Sequence, residues 1–270
     1  MKVVALVLLL SILAEGAPST KKGLCVSPRI YECQDLAQFT TIVWWYDWSL
    51  LPAYLRNTNC TNTPTQERVP MQWGWWRSTN ITGRVPEDAT YVLGFNEPNH
   101  REQANMTPQK AAEYWPRLEA AVGNKILVSP SAANCGGGTE RCVSSTIEWF
   151  DEFFRLCNGC RVDYLATHHY HCNADATMAY LRSLYARYGK KIWLTEFACP
   201  NTDSFARVSR YMTNILPQLE AADFVYRYSW FNSRIENSSN RFVRNINRLL
   251  TPGRAELTRL GRQYNNFQPA

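Results

Sequence analysis

Tyr91-Val92-Leu93-Gly94-Phe95-Asn96-Glu97-Pro98-Asn99-His100 passes in one step from an apolar run to a cluster of polar side chains. The first five residues read as a short strand buried on both faces, as strands of a parallel sheet are. Ile192-Trp193-Leu194-Thr195-Glu196-Phe197 repeats the pattern, an apolar run with a glutamate at its end. Further β-rich runs cover Thr41 to Trp48, Val69 to Trp75, Ile126 to Ser129, Val162 to His168 and Phe224 to Trp230. Helical segments alternate with them, which argues for an α/β protein with a parallel sheet. Ser145-Thr146-Ile147-Glu148 has the form of a capping box, and Ile147, Phe150 and Phe154 are spaced for one buried face. Asn158-Gly159 should stop that helix. Thr107-Pro108 opens another over Gln109 to Ala121, which Pro116 should kink or end. Asp175 and Asp203 are read as caps of two more, with Gly189 closing the first, and Thr251-Pro252 is read as opening the last. The length suits one (β/α)₈ TIM barrel or a pair of smaller domains, and the absence of a linker favours a single domain, the barrel. Seven strands are legible; the eighth belongs before Thr41 or between Trp48 and Val69.

A carboxylate at the C-terminal end of a barrel strand points into the mouth, where sites of this fold are built. Glu97 and Glu196 end strands three apart in the ring, so they can face each other across that mouth. Taken singly, either could be a surface ion-pair partner. Two in this context suit glycoside hydrolysis, where one carboxyl protonates the leaving oxygen and the other attacks the sugar or activates water.

Leu93-Gly94-Phe95-Asn96-Glu97-Pro98-Asn99 and Ile192-Trp193-Leu194-Thr195-Glu196-Phe197 resemble the signatures of glycoside hydrolase family 128, the β-1,3-glucanases. Val43-Trp44-Trp45-Tyr46-Asp47-Trp48, Val69-Pro70-Met71-Gln72-Trp73-Gly74 and Thr167-His168-His169-Tyr170 match in the same order. The resemblance implies a retaining enzyme with Glu97 as acid/base and Glu196 as nucleophile. It implies that Asn96 binds the sugar 2-OH and that His168, His169 or Tyr170 orients Glu196, with Tyr170 and His168 favoured. Trp230 would be the aromatic floor of the cleavage subsite, with Trp73, Trp45 and Tyr46 as further substrate contacts. The load of ten Trp and fourteen Tyr fits a sugar-binding surface, although many such rings fill cores. Two other readings stand beside the glucanase: a non-catalytic, lectin-like glucan-binding protein, and a glycosidase for another β-linked polysaccharide. The survival of both glutamates beside Asn96 weighs against the first.

Residues 1–16, a basic start followed by an apolar run ending in small residues, read as a secretory signal, leaving residues 17–270 as the catalytic domain. The run is too short to span a bilayer, and the polar end from Tyr264 to Ala270 offers no anchor. Export agrees with nine cysteines and with sequons at Asn59, Asn80, Asn105 and Asn237. Cys172 and Cys199 follow neighbouring strands and should pair, and the short spacing of Cys135 and Cys142 suggests a second bridge. Cys157 and Cys160 form a local bridge or join two separate ones, and the odd count leaves one thiol over. His168 and Tyr170 should share one side of their strand, with His169 and His171 on the other. The spacing of the histidines fits no metal motif, and the chemistry needs no cofactor. A net charge of +6 without a basic recognition module excludes nucleic acid as a partner. The expected partner is a polysaccharide, β-1,3-glucan, bound by an extracellular monomer.

Overall fold

A computed structural model describes residues 18–52, 60, 64–135, 140–235 and 242–269. The expected signal segment and the sequons at Asn59 and Asn237 lie outside the described residues. Eight parallel strands form one sheet: β1 (Lys22–Cys25), β2 (Trp44–Tyr46), β3 (Glu67–Arg68), β4 (Tyr91–Leu93), β5 (Ile126–Ala133), β6 (Tyr164–Tyr170), β7 (Ile192–Ala198) and β8 (Val225–Trp230). Their order is β3-β2-β1-β8-β7-β6-β5-β4. The seam between β3 and β4 closes through a parallel bridge from Met71 to Leu93. There the Gln72 N–H donates to the Leu93 carbonyl and the Leu93 N–H to the Pro70 carbonyl, each at 2.9 Å. The sheet is thus a closed (β/α)₈-type barrel. The eighth strand is Lys22–Cys25, before Thr41, where its apolar signal is only Leu24 and Cys25 beside two lysines.

The helices α1 (Pro108–Val122), α2 (Thr146–Leu156), α3 (Ala174–Tyr188), α4 (Phe205–Ala221) and α5 (Arg259–Asn266) cover the outside. The capping box of α2 is complete, with the Ser145 hydroxyl and Glu148 carboxylate each accepting from the other's backbone N–H. Thr107 caps α1 as expected, yet Pro116 does not end it. A mid-helix proline costs about 3 kcal/mol. The buried stripe of Ala111, Tyr114, Trp115, Leu118 and Val122 spans both sides of it and holds the helix together. Three caps sit elsewhere than the sequence suggests. Asn173 rather than Asp175 caps α3, Ser204 rather than Asp203 caps α4, and Thr258 rather than Thr251 caps α5. In each case the side chain that accepts from the N–H three residues on is the one that wins. Gly189 closes α3 in the left-handed conformation at φ 64°.

Alternation sorts the barrel's two cores. Trp44, Tyr46, Leu93, Val128, Ala166 and Trp193 point inward. Trp45, Val92, Leu127, Leu165, Leu194 and Tyr228 point out against the helices. Four disulfides brace the loops: Cys33–Cys60, Cys135–Cys142, Cys157–Cys160 and Cys172–Cys199. The last three agree with the sequence reading, Cys157 and Cys160 taking the local option. Cys25 is a free, buried thiol.

Candidate active site

The β4 ladder runs straight into the first glutamate. Gly94 is required there, because a Cβ would lie 2.8 Å from the Pro130 nitrogen and 2.9 Å from the Trp115 ring. That close approach lets Asn96 bridge to Ser131 beyond the regular strand. The Glu97 N–H donates to the Ser131 carbonyl at 3.0 Å. Glu97 sits at φ 39°, a left-handed conformation worth about 1–3 kcal/mol of strain for a residue with a side chain. Such strain is held where the surroundings over-determine it.

The second glutamate depends on a bulge. The β6–β7 register steps from Thr167↔Leu194 to His168↔Glu196, so Thr195 is the extra residue. Strict alternation from inward Trp193 would send Glu196 outward. The inserted residue turns it into the mouth instead. On β6 the alternation is intact. His168 and Tyr170 face inward to the carboxylates, whereas His169 faces α3 with its Nδ1 3.1 Å from the Thr177 hydroxyl.

Glu97, His168 and Glu196 form one cluster. His168 Nδ1 lies 2.8 Å from Glu97 Oε1 and 3.4 Å from Glu196 Oε2. One atom from each residue falls within 4.8 Å of the other two. These are also metal-ligand atom types, and the 2.8 Å between Nδ1 and Oε1 is a hydrogen-bond distance. Tyr170 donates to Glu196 Oε2. Trp48 Nε1 donates to Glu196 Oε1 at 2.7 Å, and the Tyr46 hydroxyl is 3.2 Å from the same oxygen. Asn96 is buried; its Nδ2 donates to Gln103 Oε1 at 3.2 Å, and its Oδ1 has no partner among the described residues.

Burial raises the Glu196 pKa above the ordinary glutamate value, and the Glu97 charge adds to this. The positive charge of His168 and the Tyr170 and Trp48 donors pull the other way without cancelling it. For His168, burial favours the neutral ring, but the charge of Glu196 and the hydrogen bond and charge of Glu97 outweigh it, so its pKa is raised. Groups this close titrate as a unit.

The cluster lies at the base of a cleft of about 1000 Å³, whose lining includes Trp48, Trp73, Asn96, Tyr170 and Phe231. Two expected contacts are not there. Trp230 is fully buried, its Nε1 donating to the Asn247 carbonyl at 2.8 Å and its ring packed on Phe197, Tyr211 and Tyr264. The register shift from Ile192↔Val225 to Trp193↔Arg227 places an extra residue in β8. Tyr228 and Trp230 therefore face the helices, while Ser229 faces the barrel interior and donates to the Thr195 carbonyl. Phe231 supplies the aromatic wall, 5.8 Å from Trp48 and 5.7 Å from Tyr170 between ring centres. Trp45 is likewise turned outward by alternation, buried and donating to the Gln66 carbonyl at 3.2 Å. Asn96, Trp73 and Tyr170 line the cleft, whereas Tyr46 and His168 are fully buried beneath it and reach the carboxylates from within the barrel. Trp48 belongs to the tryptophan cluster that the sequence offers as sugar platforms, without a role toward Glu196, and Phe231 carries no signal in the sequence. The place of Trp48 at the mouth is legible, since it directly follows the apolar run of β2, whereas the placing of Phe231 depends on the β8 bulge.

A parallel eight-stranded barrel carrying two carboxylates at its mouth is the frame of a glycoside hydrolase, and this chain is one. It belongs to the glycosyl hydrolase catalytic core family, whose model matches residues 23–264, and within it to glycoside hydrolase family 128. The chain is similar to a family 128 (subgroup II) endo-β-1,3-glucanase from Sorangium cellulosum, with 32% identity, 93% and 100% of the two chains covered, and a TM-score of 0.81. It is also similar to a subgroup V exo-β-1,3-glucanase from Cryptococcus neoformans, with 25% identity, 90% and 97% covered, and a TM-score of 0.75. Over 152 residues it is 36% identical to Alkali-sensitive linkage protein 1 of Schizosaccharomyces pombe. That match takes in 52% of this chain and only 26% of the longer yeast protein.

Proposed function

We propose that the protein is a secreted, endo-acting β-1,3-glucanase that works by double displacement, with Glu196 as nucleophile and Glu97 as acid/base. The observation that carries this reading is the approach of the two carboxylates, an oxygen of each within 4.8 Å about a shared histidine. Retaining glycosidases hold their carboxyl groups about 5–5.5 Å apart, and inverting ones leave about 6.5–9.5 Å for a water. The linkage follows from the resemblance to β-1,3-glucanases, and the endo assignment from the endo-acting Sorangium enzyme.

In the first step Glu97 delivers a proton to the leaving oxygen while Glu196 attacks the anomeric carbon, forming a glycosyl ester. Tyr170 and Trp48 fix both oxygens of Glu196, so the attacking lone pair is aimed before substrate arrives. Asn96 has its amide nitrogen held by Gln103, which places its Oδ1 to accept from the sugar 2-OH. Once Glu196 is an ester its charge is gone, and with it the like-charge repulsion that a Glu97 carboxylate would meet across the cluster. That favours the Glu97 carboxylate, the base form needed to activate water in the second step. Export is supported by the four disulfides, which persist in oxidising compartments. The sequon residues Asn80 and Asn105 are exposed, as glycan sites must be. Among the described residues no helix is long and apolar enough to cross a membrane.

The test is laminarin hydrolysis followed by proton NMR. Reducing sugar should appear first as the β anomer and then mutarotate. A first-formed α product would overturn double displacement, and no release from folded protein would overturn the glucanase reading.

The pH profile gives a second check. Glu196 must be ionised to attack, and its pKa is raised, so the acid limb of kcat/KM should lie above the ordinary glutamate range near 4.3. Tyr170→Phe removes a donor that stabilises the carboxylate, so the limb should move further up in pH. A limb that moves down, or stays put while kcat falls, would separate Tyr170 from Glu196 ionisation.

A further inference from the structure

Trp76 is 49% exposed, and its indole is placed by defined contacts. The Trp76 backbone N–H donates to the Thr79 hydroxyl at 2.9 Å, and the Trp76 backbone carbonyl accepts from the Thr79 N–H at 2.9 Å, which fixes the turn that carries the side chain. Its ring lies nearly parallel to that of Trp73, with centres 6.0 Å apart and planes 15° apart. A Cβ on Gly74 would press on the Trp76 ring at 3.1 Å and on Ala104 at 3.3 Å, so glycine allows the indole to fold back there. Trp73 lines the catalytic cleft. Trp76, stacked against it, lines a second groove of about 580 Å³ with Thr107, Gln109, Lys110 and Glu113 of the α1 start. Pockets for specific ligands run to about 300–1,000 Å³. Trp76 thus presents a half-exposed aromatic face in this groove while its ring stacks on Trp73 of the cleft.

We infer that this groove is an outer glucan-binding site, where Trp76 takes the flat C–H face of a glucosyl unit and α1 side chains take its hydroxyls. The inference rests on the glucanase reading. The occupant is the β-1,3-glucan chain itself, because the Trp73–Trp76 stack joins this groove to the cleft that holds the same polymer. Arg77, Gln109, Lys110 and Glu113 supply donors and acceptors of both charges along the groove, Gln109 through its Oε1 because its Nε2 donates to Glu152 Oε1 at 3.1 Å. That mixture suits neutral hydroxyls better than an anionic or an apolar partner. The site serves chains long enough to reach beyond the catalytic subsites. It raises the residence of the enzyme on insoluble glucan and leaves the chemical step alone.

The experiment uses the full chain in two backgrounds. In the Glu196→Gln background, which cannot cleave, binding to curdlan is measured by sedimentation. Trp76→Ala should raise the apparent Kd about five- to tenfold. Lys110→Ala with Glu113→Ala, which leaves the indole stack intact, should raise it about two- to fivefold. In the active background, Trp76→Ala should raise KM for laminarin while kcat/KM for laminaritriose stays within about twofold. Equal losses on the short and long substrates, or unchanged curdlan binding in both variants, would overturn the outer site and leave the hydrolase intact. A parent protein that neither binds curdlan nor cleaves laminarin would overturn the glucanase reading and the groove with it.

Discussion

Glu196→Gln is expected to lower kcat/KM for laminarin by about 10⁴–10⁶-fold, the scale seen when a nucleophile is removed from a prearranged site. Glutamine keeps the shape of the carboxylate, and its Oε1 can still accept from Trp48 Nε1. What disappears is the negative charge and the lone pair able to form the ester. The same change should leave the melting temperature at neutral pH unchanged or higher. The folded-state pKa of Glu196 is raised by burial. The stabilisation associated with its neutral form is therefore present below the unfolded value, near 4.3, and is lost as pH rises through the folded pKa. At neutral pH the buried charge works against folding, and glutamine removes it. A large fall in melting temperature beside the lost activity would show instead that Glu196 holds the fold together. In that case the activity loss would say nothing about nucleophilic attack.

Much of this site was legible because strand ends are written in composition. Glu97 follows Tyr91 to Phe95 and Glu196 follows Ile192 to Thr195, and the barrel places both at its mouth. Period-two alternation puts His168 and Tyr170 on one side of their strand and His169 on the other, while which side faces the barrel interior follows from the resemblance and not from the period. Alternation also shows what was not legible. Trp230 ends β8 and by position alone belongs to the mouth, but one extra residue between Val225 and Arg227 reverses the parity. Glu196 owes its inward direction to the same kind of event at Thr195. Bulges of this sort leave no mark in hydrophobic periodicity, since the residues on both sides are apolar either way. The β1 strand was hidden for a different reason. Lys22 is fully buried with its Nζ donating to the backbone carbonyls of Tyr264 and Phe267, so a residue that reads as surface is a structural plug. Only the far end of the chain, folded back over it, supplies those partners.

Glu97→Ala should behave differently from any Glu196 variant, and the difference fixes the roles. On laminarin the leaving group is a sugar hydroxyl that needs a proton, so activity should fall about 10²–10⁴-fold. On 2,4-dinitrophenyl β-laminaribioside the leaving group departs without help, and Glu196 can still form the ester. The second step then lacks its base. A burst of dinitrophenol should be followed by slow turnover, with the glycosyl-enzyme accumulating at Glu196. Azide needs no deprotonation and fits the space left by the carboxylate. It should restore turnover and give the β-laminaribiosyl azide, formed by a second inversion at the anomeric carbon. In Glu196→Ala the same anion would attack from the nucleophile's side in a single inversion, and the product would be the α azide. Should Glu97→Ala give the α azide and Glu196→Ala the β, the two glutamates exchange roles. In that case the donors Tyr170 and Trp48 would be holding the acid/base, and the nucleophile would be the strained residue at the end of β4.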